Sequence, residues 1–234
     1  GSAGVSGALS FTSGTTSTGS SGKFVYATGK ATGGKSGDIM FSVSHGDVST
    51  GGGVTVQSGS STASTVRGGI MRIASGSGSS STASQGGCVS LVASTGAHRT
   101  GGSLSLSTGS GSTTSSNEMI VQTLNAGAAG NSGPLLFLSG TTSSGSSGSF
   151  TVNTGKSVGG GRGGNIQLLV GAGESATPGG HLTAETGISF QKSGGALSLT
   201  AGVSVPTSSA FIQIKTPNAG TNGVSGELSF TSGT

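Results

Sequence analysis

Apolar side chains recur along this chain two residues apart, inside a short phrase that itself returns every 15 to 18 residues. The phrase is broadly of the form Ser/Gly-Gly-x-apolar-x-apolar-x-small-Gly, with departures at its second or ninth position in some copies. It occurs fifteen times, starting at Ser6, Ser21, Ser36, Gly51, Gly68, Gly86, Gly101, Ser116, Ser132, Ser147, Gly163, Gly179, Gly194, Ser209 and Ser225. Its fourth position is apolar in every copy, from Leu9, Phe24 and Ile39 through Leu135 and Phe150 to Leu228. Its sixth runs Phe11, Tyr26, Phe41, Val56, Ile73 and onward to Phe230 without a charged residue, and its eighth is Ser, Thr, Ala or Val. A spacing of two places side chains on one face of an extended segment and excludes a helix. Glycine usually precedes and usually follows the apolar positions of a phrase and marks turns at both ends.

A period this short implies one small unit stacked many times, because no single unit can bury an apolar face alone. The expected fold is therefore all-β: a parallel β-solenoid (β-helix) of about 15 coils of 15–18 residues, with two apolar columns stacked at the strand spacing of about 4.8 Å. Residues 1–234 read as a single β-solenoid segment. Longer repeats divide it into sub-blocks 6–131 with eight coils, 132–224 with six, and 225–234 as the start of the next. Gly223–Thr234 repeats Gly4–Thr15 at 11 of 12 positions, and Ser132 onward repeats Ser6–Gly34 with 19 identities over 29 residues at an offset of 126. Asn125-Ala126-Gly127 and Asn218-Ala219-Gly220 mark matching transitions between blocks. The first and last coils lack polar caps, so the solenoid is expected to be uncapped at both ends and to continue or to stack end to end.

Composition alters this picture in one respect. With 50 glycines, 7% charged residues, 4% aromatics and no Trp, the chain resembles a Gly/Ser linker in content, but a linker has no reason to keep apolar residues in register. The net charge of +4 arises from ten basic and six acidic residues scattered along the whole length. Lys23, Lys30, Lys35, Arg67, Arg72, Arg99, Lys156, Arg162, Lys192 and Lys215 form no dense run, and Tyr26 is the only Tyr, so nucleic acid is not an expected partner. No apolar stretch reaches the length of a membrane span, and Gly1-Ser2-Ala3-Gly4 has no signal-peptide character. Lacking an initiating Met, the segment reads as a piece of a longer polypeptide. Cys88, the sole cysteine, reads as a small filler beside the apolar column.

No motif makes a convincing reactive centre. Thr154-Gly155-Lys156-Ser157 ends like a phosphate-binding loop, but the glycine needed five residues before Gly155 is replaced by Phe150. Gly159-Gly160-Gly161-Arg162 reads as a turn between coils. Ser44-His45-Gly46-Asp47 brings nucleophile, base and acid together in sequence, yet adjacent residues rarely reach the geometry of a triad. His45, His98 and His181 lie in different coils, as do Glu118, Glu174, Glu185 and Glu227, and Asp38 and Asp47 are the only aspartates. Neither metal-ligand spacing nor a paired-carboxylate groove results. Catalytic, cofactor and metal residues are accordingly expected to be absent. The abundant Ser and Thr are acceptors for O-glycans, while no Asn-x-Ser/Thr site is present.

The phrasing Ser-Gly-x-Leu-x-Phe-x-Ser-Gly-Thr resembles Gly/Ser/Thr-rich repetitive parallel β-solenoid proteins of cell surfaces, such as adhesin stalks, and is similar to repeat tracts in diatom and other stramenopile proteins. The resemblance implies an extracellular or surface fibre and transfers no catalytic residue. The expected function is structural: part of a long extracellular filament that acts by stacking and lateral assembly, self-associating end to end, side by side, or both. A spacer or stalk in an adhesin or ligand-binding protein is the second reading, and an ice- or mineral-binding surface the third. Val25, Met40, Val92, Ile120, Leu136, Leu138 and Leu169, apolar at outward positions, are candidates for lateral contacts.

Overall fold

Between the fifteen nine-residue phrases the chain has six to nine residues in which to turn round. A linker of that length can close a coil that stacks parallel on the last one, or it can reverse the chain. The structure, a computed structural model, follows the second course. It describes residues 6–47, 50–64, 66–79, 85–98, 100–111, 115–127, 130–174, 177–205, 208–221 and 223–233. Gly1–Gly4, Arg99 and Thr234, which entered the reading of the ends and of the basic residues, lie outside that set.

The described residues contain no helix and no β-strand, only coil, bends and turns. This overturns the expected parallel β-solenoid. In such a stack equivalent positions would superpose. Here successive phrases meet in reversed register, the eighth position of one lying against the second position of the next. A Cβ placed on Gly37, Gly148 or Gly226 would meet the side chains of Thr28, Ser139 and Thr216 at 3.5, 3.8 and 3.5 Å. The same pairing joins Ser58 to Gly69, Ser75 to Gly87, Ala93 to Gly102, Thr154 to Gly164 and Thr186 to Gly195. Between them, sixth meets fourth: the rings of Phe11 and Phe24 stack at 6.2 Å, and those of Phe137 and Phe150 at 6.1 Å.

Reversal alone does not make a sheet. The repeated hydrogen bond runs from the N–H of the second residue to the C=O of the ninth residue of the preceding phrase. It occurs from Gly69 to Gly59 (2.8 Å), Gly87 to Gly76 (2.9 Å), Gly102 to Ser94 (2.8 Å), Gly180 to Gly171 (3.1 Å), Gly195 to Gly187 (2.9 Å) and Ala210 to Gly202 (3.0 Å). Each is a single clasp closing a loop, with no ladder continuing beyond it among the described residues. Glycine and the small hydroxyl residues are poor strand formers, and every ordered glycine loses more backbone freedom than another residue would.

Nor is there a core. Among the described residues no side chain is buried, and the large side chains of the two apolar columns are exposed, from 47% at Met71 to 83% at Leu9. The half-buried residues are small, and Ser58, Ala93 and Ala201 among them occupy the eighth position, beneath the next phrase. The accessible surface of 23356 Å² compares with about 9,300 Å² for a compact chain of this mass.

Contacts divide the chain into two units, Gly1–Ile120 and Val121–Thr234. Each contains one version of the block's opening coils. In the first, the Thr16 hydroxyl donates to the Thr18 carbonyl at 2.8 Å ahead of Gly19, whose φ of 106° favours glycine. In the second, Thr142 donates to the Ser144 carbonyl at 3.2 Å ahead of Gly145, φ 120°. These loops are 126 residues apart in sequence and share one conformation. The two transition motifs, 93 residues apart, also match: Gly130 donates to Gly127 and Gly223 to Gly220, both at 3.3 Å.

Candidate functional site

The residues weighed for chemistry are distributed without convergence. His45 Nε2 lies 3.2 Å from Asp47 Oδ1 with both side chains exposed, and no hydrogen bond joins Ser44 to either. A base that touches its acid but not its nucleophile, in full contact with water, has no arrangement for activating a hydroxyl. Lys35 and Asp38 form a salt bridge of 2.9 Å three residues apart, also exposed, and so of small energetic consequence.

Around Lys156 the chain makes a glycine turn. Gly159 and Gly160 have φ of 90° and 93°, and Gly161 passes close to the half-buried Ser157. The turn is followed by coil and not by the helix N-terminus that a phosphate loop requires. Cys88 is exposed, not a filler beneath the column. Among the described residues no three His, Cys, Asp or Glu side chains gather to hold a metal, and no cavity opens. No helix of the described residues is long and apolar enough to cross a membrane.

What the structure does assemble is apolar surface. Phe11 stacks on Phe24, Phe24 meets Tyr26 edge-on at 4.7 Å, and Tyr26 meets Phe41 edge-on at 6.2 Å, a continuous run of four rings across three phrases. Tyr26 and Phe41 are both sixth-position residues, so this contact runs diagonally across the reversed register. All four rings remain exposed on their outer sides. Such edge-on and offset pairs add to the affinity of aromatic side chains for one another beyond simple burial.

Sequence reading recognised the eighth-position small residues and second-position glycines but took the latter for turn residues. At some of them close approach is the stronger demand: a Cβ on Gly52 or Gly180 would stand 2.7 Å from a methyl group of Val43 or Val170, whereas Gly22 and Gly133 have open space. The available signal was the joint recurrence of glycine at one position and small side chains at the other. No protein-family model, curated protein or solved structure matches the chain.

Proposed function

We propose that this chain is a structural protein of the extracellular space or cell surface, a segment of a filament or fibre that acts by associating with further copies of itself. One observation carries the reading: the large apolar side chains that recur in both columns are exposed in the single chain. Apolar surface in contact with water costs about 25 cal/mol per Å², so contact between copies removes a cost that folding of one chain leaves in place. Repetition supports the same reading, because a patch that returns every 15 to 18 residues offers many equivalent contacts along one molecule. Sparse charge lowers the repulsion between neighbours, and the Ser/Thr-rich linkers keep the backbone solvated between contacts.

The measurement is sedimentation velocity over a dilution series, with light scattering in parallel. The mass average is expected to exceed 21.9 kDa and to rise with concentration, and to rise further in sulfate, which strengthens apolar burial. A chain that stays monomeric at every concentration and in sulfate would refute the proposal.

A further inference from the structure

The copies of the phrase are not equally apolar, and one of them differs from its own duplicate in an informative way. In the first block the phrase reads Leu9-Ser10-Phe11-Thr12; 126 residues later it reads Leu135-Leu136-Phe137-Leu138. The fourth and sixth positions are kept, whereas the alternate positions have changed from hydroxyl residues to leucine, so this phrase is apolar on both faces. All four residues are open to solvent: Leu135 is 48% exposed, Leu136 71%, Phe137 59% and Leu138 84%. Four consecutive large apolar residues in water are unusual unless something covers them.

The surroundings say what kind of partner suits this face. Between Glu118 and Lys156 the chain has no Asp, Glu, Lys, Arg or His, the longest stretch without charge in the molecule. Two copies of a chain with net charge +4 repel one another, and that repulsion is least where both contribute a neutral surface. A partner of different character would ordinarily be selected by complementary charge, and none is offered here.

We infer that Leu135–Leu138 forms the principal self-association surface of this chain and that its occupant is the same segment of a second copy. The inference rests on the self-association reading above and locates its main contact. Phe137 holds its ring against Phe150 in the same geometry that Phe11 and Phe24 adopt, with interplanar angles of 27° in both pairs. The frame behind the face is thus common to both blocks, and the residues of the first block can be placed in the second without foreign chemistry.

The test compares wild type with Leu136→Ser/Leu138→Thr, which restores the first-block residues, and with Val25→Thr, which places the second-block residue at an exposed first-block position. Sedimentation of the full chain is expected to show an apparent dissociation constant raised by roughly tenfold or more in the double variant and by less than about twofold in Val25→Thr. A retained nuclear Overhauser contact between the rings of Phe137 and Phe150 shows that the frame is intact. Equal association of the double variant and wild type overturns the inference while leaving self-association itself standing. Equal losses in both variants overturn it too, since the contact is then diffuse. Cosedimentation with phosphatidylcholine vesicles covers a lipid occupant: vesicle binding lost in the double variant with self-association unchanged assigns the face to lipid. Only a monomeric wild type removes the broader reading as well.

Discussion

Heated as a dilute monomer in a scanning calorimeter, the chain is expected to show no sharp transition, and its heat-capacity increment should be about a third, at most, of that for a compact protein of equal length. The expectation follows from area. An unfolded chain of 21.9 kDa exposes about 32,000 Å² and a compact one about 9,300 Å², so the observed 23356 Å² corresponds to roughly a third of the usual burial. Heat capacity of unfolding follows the apolar part of that area and normally reaches about 3 kcal/mol/K for 234 residues. Here it should stay below about 1 kcal/mol/K. Cooperativity weakens for the same reason: the described contacts join neighbouring phrases, so one loop can open without releasing a shared core. A single sharp endotherm with an increment near the full value, measured at concentrations where sedimentation gives a monomer, would contradict the open architecture.

Gly180→Ala should break the clasp at its phrase, and Val170→Ala should restore it. The Cβ introduced at position 180 would stand 2.7 Å from the Val170 methyl group, and a β-branched side chain has little rotamer freedom with which to withdraw. The Gly180 N–H bond to the Gly171 carbonyl, 3.1 Å long, is the contact at risk. Removing the Val170 branches opens the space. The chain already contains the compensated arrangement: Ala210 occupies the second position after Ala201 in the eighth, and its N–H still reaches the Gly202 carbonyl at 3.0 Å. A hydrogen bond of this class contributes about 0.5–1.5 kcal/mol net, so amide exchange at residue 180 should quicken about fivefold in the single variant. It should return to the wild-type rate in Val170→Ala/Gly180→Ala. Unaltered exchange in Gly180→Ala, or failure of the second substitution to rescue it, would mean that the eighth and second positions are not in contact.

Much of the local organisation was legible before any coordinates. Gly19 and Gly145 share a turn because Thr16 and Thr142 precede them in the same phrase, and a repeated sequence in a local loop meets the same local forces. The rings of Phe11 and Phe24 and of Phe137 and Phe150 share a stacking geometry for that reason. Legibility ended at the relation between phrases. Leu9, Phe24 and Ile39 fall on one face whether successive phrases run parallel or reversed, since an alternation of two is identical in both directions, but they superpose only in the parallel case. The expected solenoid chose the parallel course and placed Phe11 over Tyr26; the reversed register places it against Phe24 instead. The linkers, six to nine residues long, suit either direction, and nothing in them tells how far pairing extends beyond one bond.

The candidate site divides in the same way. His45 and Asp47, adjacent in the sequence but for one residue, form an exposed pair that Ser44 does not join. Leu136 and Leu138 stood out as apolar at outward positions, but their exposure acquires meaning only because Leu135 and Phe137 are exposed too, and this could not be read from alternation.

Sequence alone therefore determined the period, the residues in each column and the duplication of whole blocks. Tertiary structure decided the direction in which each phrase returns and whether the columns close over a core. Those outcomes depend on a balance between backbone entropy, heavy in a chain of 50 glycines, and burial that needs a second layer of matter. Within one molecule that layer is missing, and the apolar columns remain at the surface.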